Sequence, residues 1–430
     1  MKKVFLSIIL NTALFGVASA QTPSPALAQS KPVAIMGATA HIGNGTVINN
    51  SLIVFDKGKL TIVADATTVK FDLSNATVIE ANGKHVYPGV IAPNTVLGLV
   101  EVEAVRSTND DTEVGSINPN VRSLVSYNTD SDVPATVRSN GVLLAQVVPQ
   151  GGLISGTSSV VQLDAWNWED AAYAADNVVH LNWPSMTNFN SPFAPPAEQQ
   201  KEQREKNLQL LDSYFKQAKA YAEVNSYAVR NPKFESMRGL FNGSKKLFIS
   251  ANSAKEIIAA TNFAKSYSIT PVIVGAADAY LLLPFLKENN VQVLVERVHS
   301  LPGREDSDVD QPYKLAKQLD EAGILYALSM DGFWQQRNLP FMAGTTVAYG
   351  VDKEKALSSV TLNTAKILGI DKMTGSLESG KDANLLITEG DLLDMKDSKI
   401  DEAYIQGRKI NLNNKQKQLM QKFADKYNLK

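Results

Sequence analysis

The run Gly83-Lys84-His85-Val86-Tyr87-Pro88-Gly89-Val90-Ile91-Ala92-Pro93-Asn94-Thr95-Val96 separates two kinds of sequence in this chain. Before it, the short apolar runs Val33 to Met36, Leu52 to Phe55, Leu60 to Val63 and Thr77 to Ile79 are divided by Gly, Asn and Asp clusters, which is the pattern of a meander of short strands. After it, strand-like and helix-like runs alternate. An apolar strand entered through Pro-Gly and ended by short polar residues is how a first barrel strand would deliver side chains to the reacting face of a (β/α)8 barrel.

The alternation is clearest in the second half. Phe248-Ile249 ends a strand-like run at Ser250, and Ser253 with Glu256 forms a capping box for a helix to Ser266. Val272 to Val274, a helix from Asp278 to Glu288, Val291 to Val295, a helix from Tyr313 to Ala322 and Ile324 to Ser329 continue the series. Units of this length predict a parallel sheet, and in a chain of 430 residues a closed barrel. Residues Asn188 to Pro196 interrupt it with three prolines, and Leu208, Leu211, Phe215, Ala218 and Ala222 then fall at helical spacing, the packing face of one amphipathic helix. The last residues, Asn411 to Lys430, predict a polar helix with Leu419, Met420 and Phe423 on one side, docked on the barrel.

The quoted run also resembles a family. In amidohydrolases of the imidazolonepropionase-like kind, Pro-Gly-(Leu or Val)-Ile-Asp is followed by a His-x-His pair that binds the catalytic metal. The runs Gly375 to Leu386 and Ile405 to Ile410 resemble the closing strands of the composite β-sandwich in that family, where the two chain ends pair beside the barrel. The resemblance extends through Gly98 to Val102, Gln150 to Thr157 and Leu339 to Gly344. It implies an α/β fold: a barrel over 88–375, a composite β-sandwich from 33–87 and 376–411, and a C-terminal helix over 412–430.

The metal-binding pattern of the family is not kept. The His-x-His pair is Asn94-x-Val96 here, the Asp before it is Ala92, and the fifth-strand and sixth-strand His positions are Ser250 and Gly275. Amide, isopropyl and hydroxyl groups are poor zinc ligands. The four histidines of the chain, His41, His85, His180 and His299, lie at none of these positions, so the zinc implied by the family has no ligands and no cofactor is expected. Ser329-Met330-Asp331-Gly332 keeps the aspartate that serves the family as metal ligand and general base. Asp331 is therefore either a base or a cap for the segment after it. The loop His299 to Asp306 follows an apolar strand and would face the same mouth; His299 is the candidate acid there and Arg304 the candidate anion-binding group, against a reading as a solvated loop with a local ion pair. Asn94 and Ser250 join Arg304 as candidate substrate contacts. The turn from Gly151 to Gly156 is either an anion cradle or a tight strand-to-strand turn, and Trp166, Trp168 and Glu169 either line a cleft or flank a helix start.

Two functions are consistent with these residues. One is hydrolysis of a carbon-nitrogen bond in a small amide or lactam, with Asp331 as the retained catalytic residue. The other is a non-catalytic homologue, a binding module or a partner subunit of a metal-competent relative, as a homo-oligomer or hetero-oligomer.

Residues 1–20 carry Lys2 and Lys3, the apolar run Val4 to Val17 and Ala18-Ser19-Ala20, the pattern of a cleaved secretory signal. Residues 21–32, rich in Pro, Ala, Ser and Gln, are expected to be a flexible leader. Removal of the signal leaves 40 basic residues against the 44 acidic ones, a formal charge of −4. That balance excludes the electrostatic footprint of nucleic-acid binding. The chain has no Cys, so no disulfide supports it, and no second long apolar run, so no membrane contact is expected. The expected location is periplasmic or secreted.

Overall fold

The computed structural model describes residues 24–304, 306–330 and 332–429. The signal-like segment, Asp331, Glu305 and Lys430 lie outside the described residues.

Strands β1 (Val33–His41), β2 (Val47–Asp56), β3 (Lys59–Asp65), β4 (Thr77–Glu80) and β5 (His85–Pro88) open the chain. Strands β6 (Val90–Thr95), β7 (Val142–Val147), β8 (Ile154–Gln162), β9 (Ala172–Asn182), β10 (Lys246–Ala251), β11 (Val272–Gly275), β12 (Gln292–Val295) and β13 (Tyr326–Leu328) form a second sheet in that order. The last strands, β14 (Leu385–Thr388), β15 (Ile400–Ile405) and β16 (Arg408–Lys409), return to the first sheet, whose order is β16-β15-β14-β5-β1-β2-β3 with β4 on β1. Both chain ends thus build one unit beside the barrel. It is a single bent sheet: β1 pairs with β4 through Val33 to Met36 and with β5 through Thr39 and Ala40, and the register shifts between Met36 and Ala38. The apolar side chains Ile35, Ile53, Phe55, Leu60, Val86, Leu385, Ile387 and Tyr404 pack together inside the bend.

The second sheet is a nearly closed barrel. Its strands run parallel except β8, which is antiparallel to both β7 and β9. No long crossover helix intervenes between Val142 and Asn182, so this third of the wall is a meander, while β9 to β13 keep the strand-helix alternation. The helix Leu362–Leu368 packs against β6 and β13, where the wall does not pair, and sends Ala365, Ile367 and Leu368 into the same cluster as Ile91, Leu144, Val160, Phe248, Val272 and Leu294. Barrel cores of this kind are packed solid by inward side chains rather than hollow.

The quoted run joins the two units with no intervening loop. β5 ends in the first sheet at Pro88, β6 begins in the second at Val90, and Gly89 carries the strand direction between them. A Cβ on Gly89 would meet Leu143 Cδ1 at 2.5 Å, so only glycine lets β6 approach β7 this closely.

Other local expectations are met in part. The helix Ala254–Ser266 has the Ser253/Glu256 capping box, and the helix Ala197–Glu223 buries Leu211, Phe215 and Ala218. The span expected as a helix from Asp278 breaks into a turn at Ala279–Leu281 and a helix at Leu283–Glu288, because Pro284 has no N–H to continue a helix from the preceding turn. The turn at Gly151 and Gly152 joins β7 to β8. Two expectations need correction. The leader has no regular structure over 24–32, yet it is tied down: Ala26 N–H donates to Asp164 and Gln29 bridges Phe55 O and Gly58 N–H. The helix Lys415–Tyr427 forms as expected but buries none of its residues, so Leu419, Met420 and Phe423 do not dock on the barrel.

Candidate functional site

The C-terminal ends of the parallel strands define the barrel mouth. At the end of β6, Asn94 takes a left-handed backbone (φ 51°) and the pairing with β7 shifts register between Ala92 and Thr95. The Asn94 N–H donates to Oε1 of Gln146 at 3.1 Å. Gln146 Nε2 in turn donates to Ser158 Oγ at 2.9 Å, and that hydroxyl lies 2.7 Å from Nε2 of His180. Gln146, Ser158 and His180 are buried, and they form a polar row across β7, β8 and β9. Burial pushes the His180 imidazolium down to about 3, so the ring is neutral across the physiological range. Its ring and that of Phe248 stand edge to face, with centroids 5.4 Å apart.

On the opposite wall, Ser250 is exposed, while Asn252, Gly275 and Arg304 line a cavity of about 660 Å³ with Asp278, Glu296 and Arg297. Gly275 has φ +90°, and the Asn252 side chain occupies the space that a side chain at 275 would need. Glu256 fixes this corner: its carboxylate accepts the N–H groups of Met186, Asn252 and Ser253. Burial raises the Glu256 pKa, but these N–H groups outweigh it and hold the carboxyl below its usual range. Asp278 caps the same helix start through the Ala254 N–H at 3.0 Å. Arg304 forks onto Asp306 with Nε at 2.8 Å from Oδ1, lies 3.8 Å from Asp278, and is held firmly charged by Asp306.

The sequence candidates are only partly brought together. Arg304 reaches the cavity, beside Gly275. Asn94 and Ser250 end strands of the same sheet but do not line that cavity. His299 turns away from the mouth: its Nε2 lies 2.8 Å from Thr345 Oγ1 on the helix Leu339–Ala348, and it lines a separate cavity of about 410 Å³ with Lys353 and Asp391. The expectation that it faces the mouth failed because the segment after β12 bends outward at Val298, which is buried among the outer helices. Trp166 lies at a third cavity, of about 830 Å³, beside Asn414 and Lys415. Asp331 lies outside the described residues. Sequence reasoning missed Gln146, Ser158 and His180; for Gln146 and His180 the signal was a polar side chain set inside an otherwise apolar strand run.

Zinc is poorly served by the described residues. Asn94, Val96, Ser250 and Gly275 supply neither imidazole nor thiolate, and the space at Gly275 is taken by an amide. Among the described residues no group of three or more His, Cys, Asp or Glu could hold a metal ion.

Residues 255–416 match the model of the amidohydrolase family. An amidohydrolase from Thermotoga maritima MSB8 superposes with a TM-score of 0.77 over 88% of this chain and 99% of that one, at 21% identity. The chain has the fold of that amidohydrolase. Further afield, the amidohydrolase fold extends to the A. niger ochratoxinase, with a TM-score of 0.55 over 90% of this chain and 98% of that one at 11% identity. In sequence, the chain is 30% identical over 143 residues to a 5-methylthioadenosine/S-adenosylhomocysteine deaminase of Moorella thermoacetica, covering 29% of this chain and 33% of the relative. It is 33% identical over 82 residues to an imidazolonepropionase of Flavobacterium johnsoniae, covering 18% of this chain and 20% of the relative. The chain thus aligns with a third or less of the length of these curated relatives.

Proposed function

We propose that this protein is an exported amidohydrolase-superfamily hydrolase of carbon-nitrogen bonds in small amides or lactams, working without zinc. The observation that carries the reading is the cavity at the ends of β10, β11 and β12, which carries Asp278 and Arg304 in a largely apolar lining where the superfamily fold brings its chemistry together. Asp331, by its place in the sequence after β13, is the base that takes a proton from the attacking water, and Arg304 is the cation that receives the developing oxyanion. Relatives named as a deaminase and as amidohydrolases support the bond type. Hydrolysis of a panel of N-acyl amides and lactams by the purified protein, after exhaustive chelation, tests the reading: turnover that Asp331→Asn removes supports it, and turnover that appears only on adding zinc sinks it.

A second reading is favoured by one observation, the Asn252 amide lodged at Gly275. A site remade to hold an amide in a metal ligand's place suits a non-catalytic protein that binds the same ligand class. Calorimetric binding of an amide or lactam with no turnover would select it.

A further inference from the structure

The helix Lys415–Tyr427 is an amphipathic element without a cover. Leu419, Met420, Phe423 and Tyr427 fall on one stripe and are 45%, 65%, 50% and 60% exposed. The body holds the first turn of the helix: Asn414 Nδ2 donates to Ser139 Oγ at 2.9 Å, Thr136 donates to Gln416 Oε1 at 2.7 Å, and Lys415 pairs with Asp132 at 2.8 Å. A helix of this length standing in water is marginal, and the stability of an amphipathic helix comes chiefly from what packs on its apolar face. Helical spacing sets Lys422 and Lys426 along one border of the stripe and Lys417 along the other, while Asp425 is the one acidic residue of the helix. Among the described residues Lys422 and Lys426 form no ion pair, and the Lys426 ammonium lies 5.1 Å over the Tyr427 ring.

This charge pattern selects the occupant. A second copy of the helix laid on the first would oppose lysine to lysine across the stripe. A surface with phosphates at its edge and hydrocarbon beneath satisfies both features, because lysine stems lie along apolar surface while their ammonium groups reach outward. We propose that this helix lies in the surface of an anionic phospholipid bilayer, with Leu419, Met420, Phe423 and Tyr427 among the acyl chains and Lys422 and Lys426 on the phosphates. The sequence expectation of no membrane contact is thereby replaced by attachment without spanning; among the described residues no helix is long and apolar enough to cross a membrane.

The test is flotation of the purified protein, its first residue fixed by mass spectrometry, with vesicles of phosphatidylglycerol and phosphatidylcholine or of phosphatidylcholine alone. Binding is expected on the anionic vesicles and should fall roughly thirtyfold in K422Q/K426Q, since each lysine near such a surface contributes about 1 kcal/mol. L419S/F423S should lose binding with an unchanged thermal transition, as both side chains are exposed. Equal binding to neutral vesicles, or retention by L419S/F423S, overturns the proposal. So does a dimer in sedimentation that F423S dissociates, or hydrogen-exchange protection of 419–427 in the lipid-free protein, either of which would show that the face is already covered by protein.

Discussion

The side-chain amide of Asn252 fills the space above Gly275: a Cβ on that glycine would stand 3.0 Å from Asn252 Cγ and closer still to its oxygen. Asn252 follows β10 and Gly275 ends the adjacent β11, so a packed amide occupies the position where the family resemblance would place a metal ligand. Introducing histidine at 275 therefore meets an occupied space as well as a φ of +90°, which costs an L-residue about 1–2 kcal/mol by itself. Gly275→His should be destabilised by about 2 kcal/mol or more in urea unfolding. Adding Asn252→Gly should return the steric part and leave the backbone part. A single mutant as stable as the parent would show that the amide yields freely.

Asp331→Asn should lower any amide or lactam hydrolysis by about 10²–10⁴-fold, the usual contribution of a general base, with little change in thermal unfolding. Loss of stability at unchanged turnover would assign Asp331 to structure.

His180 makes stability depend on pH. Its folded pKa lies near 3 against 6.5 in the unfolded chain, so the stabilisation is complete above pH 6.5 and is lost as pH falls toward 3. The unfolded state binds the proton first, and the loss should approach about 1.4 kcal/mol per pH unit within that window. Urea midpoints at pH 7 and pH 5 measure it. His180→Gln should flatten the curve, and an identical pH dependence in the variant would place the titrating group elsewhere.

Asp164 is fully buried and bridges Arg138 (2.8 Å) and Arg408 (3.0 Å), linking the barrel wall to the last strand of the bent sheet. Asp164→Asn leaves two guanidinium groups facing an amide and should cost about 3–5 kcal/mol, the price of uncoupling a buried pair. Because the same carboxylate accepts the Ala26 N–H, limited proteolysis of residues 24–32 should accelerate in the variant.

The sequence carried the architecture further than the site. Pro88-Gly89 marked the passage from one sheet to the other because a strand entry needs a residue without a side chain where β6 crosses Leu143, and Ser253 with Glu256 marked a helix start by local chemistry alone. The departure from the family's histidine pattern at Asn94, Val96, Ser250 and Gly275 was also legible position by position. The outward turn of His299 was not, because Thr345 lies 46 residues away in the chain and only packing brings the two together. Nor was the row Gln146, Ser158 and His180, which depends on the antiparallel course of β8; a regular strand-helix series would have placed these three residues on different neighbours.

The pairing of β14 with β5 sets Leu385 opposite Pro88 and Ile387 opposite Val86, strands separated by most of the barrel. During synthesis, β5 therefore waits for nearly the whole chain before its second partner exists. A chain that stops short of Leu385 would expose β5 as a bare apolar edge bearing Val86 and Tyr87, open to pairing with any extended segment it meets. In a chain that lacks the residues from Leu385 onward every barrel strand is present, while β5 keeps one edge unpaired.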